Sequence, residues 1–249
     1  MATLKTRTGT RKHKVVSPRE WIAARKDLLA EEKKFSRLRD RLNAKRRALP
    51  WVRVEKTYVF DAPGGRETLA ELFGGRSQLI VYHFMFCPED GEGCPHCSFW
   101  ADHYDGPGPH LNQRDTTLVV VSRAPLKKLE AFKKRMGWRF KWVSSGKTDF
   151  NYDFRVSFKP ADLRRGPVDY NYAKSEMPPD MTDREGASAF YRDRNGDVFH
   201  TYSTFARGID LLNTTYNLLD LTAKGRDEDP EKAQDWVRYH DRYPAKKRG

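Results

Sequence analysis

The chain has 249 residues, 38% of them apolar, which is enough for one substantial core with polar appendages. Its formal charge of +13 is uneven: residues 1–50 hold 16 Lys or Arg against 5 Asp or Glu, a net of +11, and the remainder carries only +2. A specific nucleic-acid reader would have to rest on that arm alone, and the longest apolar stretch, residues 79–86, is far too short to cross a bilayer. Residues 1–16 contain neither an apolar run nor a small-residue cleavage site, so the expectation is a cytoplasmic protein without membrane insertion.

From Pro18 to Arg47 apolar residues recur at helical spacing (Trp21, Leu28, Leu29, Phe35, Leu38, Leu42), with Ser17 as N-cap and Pro18 at the first helical position. This basic amphipathic helix is expected to pack its stripe on the main domain or on a second subunit, making a homo-oligomer, rather than to read nucleic acid. Residues 51–54 and 58–60 alternate like a short hairpin, and residues 68–73 read as one or two helical turns. Residues 78–86 form a continuous apolar run suited to a strand buried on both faces. Residues 117–122, a helix from Pro125 to Met136 stopped by Gly137, and residues 140–143 then make a βαβ unit. Residues 145–186, rich in Asp, Arg, Tyr and Pro, read as an insertion. Residues 188–192 and 197–201 flank Asn195-Gly196, a strong hairpin signal, and a helix is expected over residues 209–221. The domain reading is a basic arm and helix (1–50), an α/β thioredoxin-like domain (51–222) and a charged tail (223–249), because strand, thiol turn, helix, strand, helix, strand, hairpin and helix is the thioredoxin order.

Three cysteines, Cys87, Cys94 and Cys97, fall within eleven residues, which is no framework of structural disulfides. Cys94-Pro95-His96-Cys97 follows the buried strand and leads into residues 98–101 as a first helical turn. At that place two sulfurs come within bridging reach, and free N–H groups with the positive end of the helix dipole favour a thiolate on the first. Cys94 is the expected nucleophile and Cys97 the resolving thiol, with Pro95 fixing the turn and His96 tuning the thiolate and the reduction potential. A four-thiolate zinc site has too few cysteines.

Residues 79–86, 93–100, 121–125, 135–138 and 198–203 resemble a bacterial family of unknown function whose members are described as thioredoxin-like dithiol-disulfide oxidoreductases. The resemblance spans Trp21 to Tyr243, and Cys87 departs from its pattern. It implies a thiol or disulfide substrate and no cofactor. Thioredoxins carry a cis-proline eight residues ahead of the hairpin glycine, and counting back from Gly196 puts Ser188 there, as a residue expected to modulate the thiols. A missing proline also leaves room for metal. The alternative reading is therefore a copper or other metal-binding redox protein with ligands Cys94, Cys97, His200 and His83, resembling the copper-chaperone branch of the superfamily. A third is a non-catalytic binding protein on the same scaffold.

Overall fold

The structure, a computed structural model, describes residues 13–245; the first part of the basic arm, residues 1–12, and the last four residues of the tail lie outside the described residues. The chain divides into two compact units, residues 1–50 with 219–233 and residues 51–218 with 234–249. The first is dominated by helix α1 (Pro18–Arg47). Its start is a full capping box, with the Ser17 side chain accepting from the Glu20 N–H and the Glu20 carboxylate accepting from the Ser17 backbone, and Lys45, Arg46 and Arg47 complement the dipole at its end.

The second unit is built on one eight-stranded sheet in the order β1-β10-β9-β4-β5-β6-β2-β3. Its strands are β1 (Val52–Arg53), β2 (Val59–Ala62), β3 (Gly65–Thr68), β4 (Gln78–His83), β5 (Thr116–Ser122), β6 (Lys141–Ser144), β9 (Gly186–Arg192) and β10 (Val198–Phe205). A separate ribbon pairs β7 (Val168–Tyr170) with β8 (Ala173–Ser175). The helices are α2 (Pro95–Ala101), α3 (Gly108–Gln113), α4 (Leu126–Arg135), α5 (Phe150–Asp153), α6 (Pro160–Arg165) and α7 (Thr214–Leu219). Strands β4, β5 and β6 are parallel, β9 runs antiparallel to β4, and β10 runs antiparallel to β9. With α2 leaving β4 and α7 following the β9–β10 hairpin, this is a thioredoxin-like α/β fold.

Alternation along the central strands separates two faces. Leu79, Val81, Val119, Val121, Val143 and Phe190 share one face with Phe60, Phe73 and Phe150 in a continuous core. Tyr82, Val120 and Trp142 occupy the other, paired in register across β4, β5 and β6, where Phe84, Phe86, Phe132 and Trp138 close around Trp142.

Several local expectations resolve differently. The 51–54 and 58–60 segments do not form a hairpin: β2 takes its hairpin partner from β3 across the tight turn that closes at Ala62 and Gly65 and also pairs with β6, while β1 adds to the edge of β10. The helix expected over 209–221 is a 3₁₀ segment (Ala206–Leu212) followed by α7. Residues 145–186 are an insertion in topology but supply core: Phe150 is fully buried and edge-on to both Tyr58 and Phe60. Truncating Phe150→Ala should therefore cost about 3–5 kcal/mol of unfolding free energy in a denaturant titration, the value of a closed core site rather than of a surface loop.

Candidate active site

After β4 the chain continues beside β5, with the Phe84 N–H donating to the Val121 carbonyl, and then turns through residues 87–93 into α2. Cys94 is the N-cap of α2 and Pro95 its first residue, where a missing N–H costs nothing. The Cys94 N–H donates to the Met85 carbonyl at 3.0 Å, and the Met85 N–H points back at the Cys97 sulfur at 3.4 Å. The Cys97 N–H approaches the Cys94 sulfur at 3.5 Å. All three cysteines are unbridged; Cys97 is buried and Cys94 half-buried.

The two thiols have opposite tendencies. The Cys97 S–H donates to the Cys94 sulfur and, with His96 as a second donor, holds Cys94 well below the ordinary thiol range despite burial. His96 rises in return, chiefly through its bond to Cys94, with support from the Gln234 backbone and Glu185. Cys97 is pushed well up by burial first and then by the Cys94 and Glu185 charges. Tyr82 Oη is buried with no close hydrogen-bond partner, and the Cys97 sulfur is the polar atom beside it.

Glu185 is a member of the site that sequence reasoning missed. Gly186 is paired with His83, so Glu185 falls one residue before β9 at the thiol end of β4, on the Tyr82 face. Its carboxylate acts on Cys97, His96 and Tyr82, and Tyr170 Oη donates to it at 3.2 Å. The count of eight residues back from Gly196 stops at Ser188, inside β9, three residues short of Glu185 at the thiol end of the strand.

The end of the charged C-terminal tail braces the thiol loop. Tyr239 Oη donates to the Gly93 carbonyl at 2.6 Å, Glu92 accepts from both Arg135 and Arg242, and Asp241 binds Arg135. Arg135 and Arg242 lie over the Tyr239 ring at 4.8 and 5.1 Å. A Cβ on Gly93 would meet Phe84 at 2.7 Å, which requires glycine here by close approach.

Ser188 is not at the thiols. It lies mid-strand in β9, paired with Val81, on the opposite face of the sheet from Tyr82. His83 and His200 share that opposite face, so the expected ligand set of Cys94, Cys97, His200 and His83 is not brought together. Among the described residues no three His, Cys, Asp or Glu side chains converge as a metal site. The histidines belong instead to a buried relay: His83 Nε2 to Ser188 Oγ at 2.8 Å, Ser188 Oγ to Ser203 Oγ at 2.8 Å, and Ser203 Oγ to His200 Nε2 at 2.7 Å. His83 Nδ1 has no partner among the rings of Phe150 and Phe154, and an orphan lone pair is cheaper there than an orphan N–H. His83 therefore donates through Nε2, and the serines pass the direction on to His200.

Cys87 stands apart from the dithiol. It donates to Asp183 Oδ2 at 3.1 Å beside Thr182 and Arg123, within a network anchored by the buried Arg123–Asp183 ion pair at 2.7 Å. Burial and the Asp183 charge push its thiol up to about 12, so it is a hydrogen-bond donor and not a thiolate.

Fold and dithiol turn together define a thioredoxin-like protein with an asymmetric cysteine pair. The profile of the family described as "Bacterial protein of unknown function (DUF899)" matches residues 10–243, and the chain belongs to that family. No curated protein matches it. Solved structures similar to it include a mutant of Xanthomonas campestris peroxiredoxin Q, at 15% identity and TM-score 0.44 over 65% of this chain and 89% of that one. Peroxidoxin BcpB from Mycobacterium tuberculosis gives 14%, 0.42, 67% and 95% for the same measures. Among the described residues no helix is long and apolar enough to cross a membrane.

The histidine relay has a pH consequence. Burial, then the neighbouring His200, lowers His83 from 6.5 to about 3, and burial lowers His200 as well. Unfolded histidine takes a proton below pH 6.5 while folded His83 does not, so stability is complete above that pH and falls progressively toward pH 3. The unfolding free energy should drop with a slope approaching about 1.4 kcal/mol per pH unit for His83. Chemical denaturation of His83→Gln across about pH 4–7 should show a shallower slope.

Proposed function

We propose that this protein is a dithiol-disulfide oxidoreductase of the cytoplasm, acting on a thiol or disulfide substrate without a cofactor. The observation that carries the reading is the paired asymmetry at one helix start: a half-buried Cys94 held toward the thiolate by Cys97 and His96, next to a buried Cys97 held as a thiol. That is the division a two-step exchange needs, a nucleophile ready at neutral pH and a resolving thiol that keeps its proton until the first step is over.

In the reducing direction the Cys94 thiolate attacks one sulfur of a substrate disulfide. The substrate S–S bond breaks, a mixed disulfide forms on Cys94, and the departing thiolate takes a proton, for which His96 is the adjacent acid. With the negative charge gone from Cys94, Cys97 loses both its hydrogen-bond acceptor and the repulsion that kept it protonated. Its proton passes to the Glu185 carboxylate, the acceptor on that side of the sheet, and the Cys97 thiolate attacks the Cys94 sulfur. The Cys94–Cys97 bond closes, the second substrate sulfur leaves as a thiolate that takes up the proton held by Glu185, and two electrons have moved to the substrate. A cellular dithiol must then reduce the bridge; the same steps in reverse oxidise a substrate dithiol. The copper reading finds no comparable support, since its two histidines face away from the thiols.

The pH dependence of Cys94 alkylation should report a pKa well below that of a free thiol, and His96→Ala should raise it. Cys97→Ser should trap a mixed disulfide with a model substrate, visible by mass spectrometry, while Cys94→Ser forms none. A Cys94 that alkylates like free cysteine and traps nothing would overturn the reading.

Glu185→Gln addresses the second step separately. It should leave mixed-disulfide formation intact, slow closure of the Cys94–Cys97 bond about 100-fold at neutral pH, and make that closure proportional to hydroxide. An unchanged closure rate would remove Glu185 from the mechanism.

A further inference from the structure

Helix α1 is thirty residues long and has no buried residue. Trp21, Leu28, Phe35 and Leu42 recur at intervals of seven and are 59%, 55%, 64% and 50% exposed, with Leu38 beside them at 44%. Seven is the interval at which one side chain returns to the seam of two packed helices, so the stripe is patterned for a helical partner. The four heptad positions also read the same in both directions: reversed about the point between Glu31 and Glu32, Trp21 falls on Leu42 and Leu28 on Phe35, while Leu38 falls on Arg25.

Charge decides which partner and which direction. Residues 18–32 hold three basic and four acidic side chains, a net of −1, whereas residues 33–47 hold eight basic and one acidic, a net of +7. Two copies side by side in parallel would set +7 against +7 well within a Debye length. Antiparallel, each +7 half lies along a −1 half, and the four heptad positions still coincide. We infer that α1 is the self-association surface of this protein, taking a second copy of itself antiparallel. The helix is about 45 Å long, and a contact strip about 15–20 Å wide would cover roughly 700–900 Å² per copy, close to the roughly 800 Å² per partner of a stable interface. This goes beyond the thiol chemistry and does not depend on it.

Each helix still carries a net +6, so the paired copies repel overall and the apolar stripe holds them. Screening by salt therefore strengthens the dimer, whereas binding of a nucleic acid to the same basic face weakens with salt. Sedimentation equilibrium of the full chain at micromolar concentration should show a dimer whose association tightens as salt is raised. Leu28→Glu with Phe35→Glu should raise the dissociation constant at least about 100-fold while the circular dichroism and melting of the rest of the chain are kept. Leu28→Ala with Phe35→Ala, which keeps helix propensity, should weaken association in the same direction. A benzophenone side chain introduced at position 21 should photo-crosslink to residues 39–46 of a second chain, a stretch about 27 Å or more away along its own helix. A monomer at all salts, a dimer indifferent to these substitutions, crosslinks to residues 18–25 of the second chain, or crosslinks confined to the same chain would each overturn the inference.

Discussion

Strand β4 is hydrogen-bonded along both edges, to β5 on one side and β9 on the other, so its side chains cannot choose a face. Tyr82 must point to the side where α2 packs and His83 to the other, and both polar sites of the domain follow. On one face Tyr82 stands against Cys97 and the Glu185 carboxylate arrives from the start of β9. On the other, His83 meets Ser188 and the relay to His200. A one-residue slip of β4 would exchange the two sets, which is why the flanking apolar residues, fully buried on each face, guard the register.

The thiol turn derives its chemistry from being half inside. Cys94 has lost enough water that each donor aimed at it counts, and it has Cys97 S–H, His96 and the N–H of Cys97. Cys97 has lost nearly all its water and has anions for neighbours. The same burial thus divides two identical side chains into nucleophile and reserve. The Tyr239 and Arg242 brace on residues 92–93 keeps the loop seated, and its ion pairs are exposed enough that the buried Tyr239 hydroxyl and the ring stack carry more of the fixing than the charges do.

The histidine relay is a case where polar groups deep in a core are tolerated because they are connected. Ser188 and Ser203 are buried, and each makes two of the three bonds in the line. Its one unsatisfied atom, His83 Nδ1, is an acceptor held among aromatic rings, which fixes the tautomer and makes protonation costly. The pair that sequence alone offers as copper ligands is therefore committed to holding β4, β9 and β10 together.

Elements written in local pattern were legible from the chain. The 78–83 apolar run, the Pro125 to Gly137 helix, the Asn195-Gly196 hairpin and the capped 18–47 helix all specify themselves through neighbours three or four residues away, and with them the strand, turn and helix around Cys94 and Cys97. Pro95 and His96 were legible for the same reason, since a four-residue turn leaves them nowhere else to be. What required the tertiary structure was every relation across strands. Glu185 carries no motif and acquires its role from β9 register; Tyr239 reaches Gly93 across 146 residues; His200 and Ser188 face away from the thiols because alternation across paired strands, His200 opposite Phe190 and Ser188 opposite Val81, puts them there. Sequence pattern decides which way a residue points relative to its own neighbours, but which side chain stands opposite a sulfur depends on pairing between distant strands, and that pairing is decided only when the whole core closes.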